Sequence, residues 1–191
     1  MRKKLIFTTQ IIFIYLICIN YSVADIQKEI INKLTSIRTL SFNFTQTIAN
    51  KKEIGNCYIK YPLLMKCNYK NLKQKVIISD GKRIAIIKKK YKKIYLYPIK
   101  TTPLFFALKK DEIINLVRKN KPNEINQDLV AFKDFKKNKN IIIFFDKNSF
   151  EFKGWETKDI FSNNVTFIIN KLKINNQIVD SFFKIPQEKD L

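Results

Sequence analysis

Cys57 and Cys67 are the reactive pair whose spacing suggests chemistry, since each lies five residues from Pro62. A hairpin turning at Pro62 sets them opposite each other on one face, where two thiols either join as a disulfide or serve as small apolar groups. A tight cross-strand bridge is strained, and the reading leans to free thiols. Other chemistry is scarce. The 191 residues include no histidine, which removes imidazole-activated nucleophiles and histidine-ligated zinc. The 16 acids are spread singly, and Asp111-Glu112 reads as the negative first turn of a helix. Only Gly55, Gly81 and Gly154 are glycines, too few for a phosphate-cradling loop. These residues point away from an enzyme, and no cofactor or metal is expected.

The elements that hold the cysteines are strands. Leu40 to Gln46 alternates apolar and polar residues, the period of a half-buried strand. Cys57, Ile59 and Tyr61 continue the pattern up to Pro62, and Met65, Cys67 and Tyr69 resume it. Val76 to Ser79, the hairpin signal Asp80-Gly81, and Arg83 to Ile87 extend an antiparallel meander, which folds again at Lys88 to Lys93 into Ile94 to Pro98. Before these strands, Ile26, Ile30, Leu34 and Ile37 fall at helical spacing over Asp25 to Ile37. After them comes Pro103-Leu104-Phe105-Phe106-Ala107-Leu108, a contiguous apolar run read as a buried loop, then a short helix over Asp111 to Arg118. Further strands are expected at Leu129 to Phe135, Ile141 to Phe145, Phe150 to Lys153, Val165 to Ile169 and Phe182 to Ile185, with Trp155 between two of them. So few helices cannot cover such a sheet, which must curl over them or close on itself.

The chain opens with Arg2, Lys3 and Lys4, an uncharged and mostly apolar run from Leu5 to Ile19, and Ser22-Val23-Ala24. That order is expected to be a secretory signal cleaved after Ala24, its apolar run being short of a spanning helix. Ile17 before Cys18 is bulky where lipid modification needs a small residue. Removing 24 of the 191 residues leaves 167, the size of a single domain over 25–191. Removing the three basic residues lowers the formal charge from +21 to +18. The lysines are scattered, no recognition motif accompanies them, and nucleic acid is not expected as a partner.

In their order these segments resemble one family. Phe42-Asn43-Phe44-Thr45-Gln46, Gly55 with Ile59-Lys60-Tyr61-Pro62, Ser79-Asp80-Gly81-Lys82, Thr102-Pro103-Leu104, Asn163 to Phe167, Asn175-Asn176-Gln177-Ile178 and Phe182-Phe183-Lys184-Ile185-Pro186 are similar to the periplasmic outer-membrane lipoprotein carriers, the LolA family. The resemblance implies a mainly β (α+β) fold, an unclosed antiparallel β-barrel of about ten strands with two or three helices as a lid over an apolar cavity. It implies acylated lipoproteins as cargo for a monomeric periplasmic carrier. An inner-membrane lipoprotein-releasing ABC transporter would load it and an outer-membrane lipoprotein receptor would unload it.

On that reading the acyl-binding wall is Leu40, Phe42, Phe44, Ile59, Met65 and Tyr69, with Leu104, Phe105 and Phe106 at the mouth. Ile30, Leu34 and Ile37 face it from the lid. The family carries an arginine before the first hairpin proline, bonded to lid backbone, and here the residue is Tyr61. A phenol offers one donor where guanidinium offers five, so any latch at Tyr61 is weaker. Two other readings remain open: an outer-membrane lipoprotein receptor of the same fold, and an exported basic adaptor that binds envelope protein or polyanion.

Overall fold

In a computed structural model that describes residues 23–134, 141–159 and 162–191, the alternating segment forms strand β1, Thr39–Ile48. It buries Leu40, Phe42 and Phe44 on one face. Helix α1, Val23–Ser36, precedes it, with Ile26, Ile30 and Leu34 buried on one stripe. The meander continues as β2 (Lys51–Lys60), β3 (Leu64–Tyr69), β4 (Lys75–Asp80), β5 (Arg83–Lys88) and β6 (Lys93–Pro98). Helices α2 (Leu104–Ala107) and α3 (Lys110–Lys119) follow. Then come β7 (Asn123–Glu124), β8 (Leu129–Asp134), β9 (Ile141–Asp146), β10 (Phe152–Lys158) and β11 (Asn164–Ile174). Most of the expected signal segment, Met1 to Tyr21 and Ser22, lies outside the described residues, as do Phe135 and Ile160.

Among the described residues all strands join one antiparallel sheet in the order β6-β5-β4-β3-β2-β1-β11-β10-β9-β8-β7. Its two ends, β6 and β7, do not meet, so the barrel is open, as expected; ten of the strands have six or more residues and β7 has two. Register builds rows across the inner face. Leu40 pairs with Ile59 and Ile59 with Met65; Phe42 pairs with Cys57, Cys57 with Cys67, Cys67 with Ile77 and Ile77 with Ile86. Cys57 and Cys67, where the sequence reading leans to free thiols, are joined by a disulfide within this second row, because the register sets them directly opposite with Cα atoms 4.0 Å apart. The third row runs from Phe44 through Gly55 to Tyr69. A Cβ on Gly55 would lie 2.2 Å from the Asn68 carbonyl oxygen and 2.7 Å from the Phe44 ring, so glycine is what lets that ring cross β2.

Three segments differ from expectation. Leu104 to Ala107, expected as a buried loop, is the short helix α2, because Pro103 before it already has helical φ −59 and ψ −24, and Leu104, Phe105 and Phe106 are half-buried. Trp155, expected between strands, lies inside β10 and is buried with Phe152 in the interior. Residues three apart cannot share a face in regular alternation, and a bulge between Phe152 and Gly154 supplies the extra residue. Gly154 takes φ +139 there, a conformation L side chains rarely adopt. The expected strand at Phe182 to Ile185 is instead a 3-10 turn, Asp180–Phe183, crossing the outer face. Phe182 meets Tyr58 edge-on at 5.1 Å and lies under the Lys66 ammonium, while Ile185 joins Val76, Ile78, Ala85 and Ile87 in a small outer cluster. β4 and β5 thus carry apolar residues on both faces, and the tail covers the outer one instead of pairing along an edge.

Candidate functional site

The helices cover the barrel as a tied unit. α3 carries Asp111 and Glu112 in its first turn and Arg118 and Lys119 in its last, matching the helix dipole, and it buries Ile113, Ile114, Leu116 and Val117. Gln27 of α1 donates through Nε2 to the carbonyls of Val117 at 2.8 Å and Asn120 at 2.9 Å. Lys110 at the start of α3 donates through Nζ to the carbonyls of Thr35 at 3.0 Å and Ile37 at 2.8 Å. Backbone bonds attach the lid to the first hairpin: Tyr61 N–H donates to Arg38 O, and Leu63 N–H to Leu108 O, each at 3.0 Å. The Tyr61 phenol packs against the core, makes no hydrogen bond among the described residues, and is pushed up in pKa by burial. Hydrogen bonding that the resemblance assigned to an arginine is carried here by Lys110, Gln27 and backbone. Sequence signalled neither side chain, because a lysine and a glutamine on helices look like solvated polar faces.

Beneath α2 lies a cavity of about 450 Å³. Its wall is Gln46 and Ile48 of β1, Met65, Cys67 and Tyr69 of β3, Ile77 of β4, Ile86 of β5, Trp155 of β10, and Val165 and Phe167 of β11, with Leu104 of α2. Exposed Thr101, Pro103 and Lys158, with half-buried Thr157 and Asp159, also border it and mark its mouth. Stacked rings form a floor: Trp155 on Phe167 with centroids 4.2 Å apart, Phe167 on Phe44 at 4.5 Å, and Phe44 against Tyr69 edge-on at 4.9 Å. Burial, with the Glu53 charge adding to it, pushes the Tyr69 phenol up, so it stays neutral at ordinary pH.

Of the expected wall, Met65, Tyr69 and Leu104 line the cavity. Leu40, Phe42, Phe44 and Ile59 are buried in the packed core beside it, with Ile30, Leu34 and Ile37 of the lid side in the same cluster. Phe105 and Phe106 are half-buried against that core. The β1 positions that reach the cavity, Gln46 and Ile48, continue the inner-facing alternation beyond Phe44. Strand length, which the sequence leaves loose, decided which end was hollow. Ile77, Ile86, Val165 and Phe167 are inner-face residues whose alternation was legible but whose position at the hollow end was not.

The chemistry of this lining is apolar contact with few polar groups. Among the described residues no cluster of three or more metal-ligating side chains occurs, and no helix is long and apolar enough to cross a membrane.

The model of the family described as outer membrane lipoprotein carrier protein LolA matches residues 35–186. The chain belongs to the LolA family. No protein of curated function is significantly similar in sequence. An uncharacterized conserved protein from Thermus thermophilus is similar in fold with a TM-score of 0.50 at 7% identity, covering 86% of this chain and 95% of that one. A LolA superfamily protein from Nitrosomonas europaea matches with a TM-score of 0.41 at 9% identity, covering 83% of this chain and 97% of its own. Within the LolA family this chain has the open barrel, the helical lid and an interior hollow.

Proposed function

We propose that the chain is a periplasmic carrier that takes outer-membrane lipoproteins from an inner-membrane ABC transporter to the outer membrane by holding their acyl chains inside the barrel. The observation that supports it is the apolar cavity of about 450 Å³ under a hydrogen-bonded lid in a LolA-family chain. The physics of the task fits such a site. A triacylated anchor has roughly fifty methylenes, and at about 0.8 kcal/mol each, exposure to water costs about 40 kcal/mol. Something must shield them in transit.

The size of the hollow sets the mechanism. An empty site of about 150 Å³ holds benzene, which gives about 25 Å³ per carbon. By that measure 450 Å³ takes on the order of eighteen carbons, about one acyl chain. Holding three chains requires the lid to lift from the barrel, which breaks the ties of Lys110 and the Leu63 to Leu108 bond. On this reading the described shape is the closed state, and hydrogen bonds of modest strength hold it so that cargo can still be released. On this reading the signal is removed after Ala24, and residues 25–191 act as one domain. The high positive charge would favour docking on acidic transporter surface or anionic lipid.

The test is release of a tagged triacylated lipoprotein from spheroplasts. Adding the mature protein should bring the lipoprotein into the supernatant as a stoichiometric complex. A supernatant no richer in lipoprotein than buffer alone would overturn the proposal.

A further inference from the structure

The densest run of positive charge in the chain lies at one end of the barrel. The hairpin between β5 and β6 reads Lys88-Lys89-Lys90-Tyr91-Lys92-Lys93 and leaves Tyr91 53% exposed in its turn. Beside it, the loop between β3 and β4 sets Lys70, Lys73 and Lys75 around Leu72, which at 90% is the most exposed large apolar side chain among the described residues. The two segments meet at an open recess of about 730 Å³ that Lys70, Leu72, Lys75 and Lys89 border and no acid does. Glu53 is bonded to Lys75 and Asn71, and Glu188 to the Ile94 amide. Lys70, Lys73, Lys89, Lys90, Lys92 and Lys93 make no ion pair among the described residues. Burial first and the Lys89 charge second hold Lys66 below its ordinary pKa, so the field of this end reaches β3 without being neutralised.

We infer that this end of the barrel docks on a membrane surface rich in anionic phospholipid, with the lysines against the phosphates and Tyr91 and Leu72 at the level of the head groups. The proposal goes beyond the carrier reading and needs no cargo to be bound. Anionic leaflets attract clusters of about four to eight lysines, each contributing about fivefold in affinity. An acidic protein surface would draw the same lysines, but it offers little to a bare leucine and tyrosine set among them. Lysine and tyrosine have apolar bodies and polar tips that suit the head-group boundary, and leucine gains where apolar surface receives it. Tyr69 borders both the recess and the hollow under α2, so a carrier docked here holds its hollow next to the membrane.

The test is co-sedimentation of the mature protein with sucrose-loaded vesicles of phosphatidylcholine alone or of phosphatidylcholine with about one third phosphatidylglycerol. Binding should need the phosphatidylglycerol and should weaken at least about tenfold between about 0.1 and about 1 M salt, as the Debye length falls from about 10 to about 3 Å. The triple variant Lys89→Gln, Lys90→Gln, Lys92→Gln should lower the partition coefficient on the order of a hundredfold. Lys28→Gln, Lys119→Gln, Lys121→Gln removes the same charge from exposed positions on and beside the lid helices, and should lower it less than about threefold. Equal losses in the two triple variants would overturn the inference, because overall charge and not this end would then account for binding. Vesicles with phosphatidylglycerol that retain no more protein than phosphatidylcholine alone would overturn it too, leaving the lysines to an acidic protein, and that arm needs no variant to fold. Lipoprotein release from spheroplasts is a separate measurement, and its failure with vesicle binding intact would remove the carrier reading and not the docking surface.

Discussion

Filling the hollow without touching the fold's surface should abolish carriage. Ile77 and Ile86 pair across β4 and β5, and both line the cavity. Replacing each by tryptophan adds about six heavy atoms per site, roughly 150 Å³ at the packing that benzene shows in an engineered cavity. The double variant, Ile77→Trp with Ile86→Trp, then takes about 300 Å³ of the 450 Å³ and leaves room for about six carbons. Some twelve methylenes lose their shelter, about 10 kcal/mol of burial, more than any displacement assay can follow. Dye binding and lipoprotein release should both fall below detection, while the circular-dichroism spectrum stays that of a folded barrel. Leu96→Trp, on the exposed edge strand β6, is the matching control and should bind as wild type does. A folded double variant that keeps its affinity within threefold would refute the reasoning, because the acyl chain would then lie elsewhere.

Other substitutions probe the lid and the frame. Lys110→Met removes the ammonium shared by the Thr35 and Ile37 carbonyls, worth about 1.5 kcal/mol, so stopped-flow release of bound dye should accelerate roughly tenfold; an unchanged rate would mean that the helices are not held there. Tyr61→Phe should alter lipoprotein retention by no more than one neutral hydrogen bond, about 1 kcal/mol, since the phenol makes none among the described residues. Complete loss of loading would contradict that. Gly154→Ala places a Cβ 1.9 Å from the Phe167 carbonyl oxygen at φ +139, and chemical denaturation should read a loss of about 3 kcal/mol or more. Burial works against the Asp80 carboxylate, but the amides of Arg83 and Lys82 and the Arg83 guanidinium overcome it. Asp146 is held down first by the Ser149 amide, so both carboxyls lie below their ordinary pKa. Their stabilisation is present above about pH 4 and is lost as pH falls through the folded values, so the melting-temperature deficit of Asp80→Ala at pH 7 should shrink steadily below pH 4.

The parts of this fold that were legible in the sequence are those that rest on local periodicity. The alternation of Leu40, Phe42 and Phe44, the turns at Pro62 and Asp80-Gly81, and the spacing of Ile26, Ile30 and Leu34 each declare an element and the face it buries. Opposition of Cys57 and Cys67 followed from counting residues either side of Pro62, whereas their bond did not, because redox state is not in the spacing. Trp155 was misplaced because a bulge shifts alternation by one residue and leaves only Gly154 as its trace. Phe182 and Phe183 read as a strand, yet an apolar pair before proline serves equally to cap the outer face of β2 to β5. The cavity itself was least legible. Inner-facing residues look alike whether neighbours fill the space between them or leave it empty, so Phe44 packs while Ile48, two residues beyond Gln46, borders a void.

The most direct test of the carrier account is to load the mature protein with a triacylated lipoprotein whose fatty chains carry a diazirine near the methyl end, irradiate, and map the adducts by peptide mass spectrometry. Adducts are predicted on Ile48, Ile77, Ile86, Leu104 and Val165, which line the hollow. Adducts confined to the outer cluster around Val76 and Ile185, or to the exposed edge of β6, would contradict it.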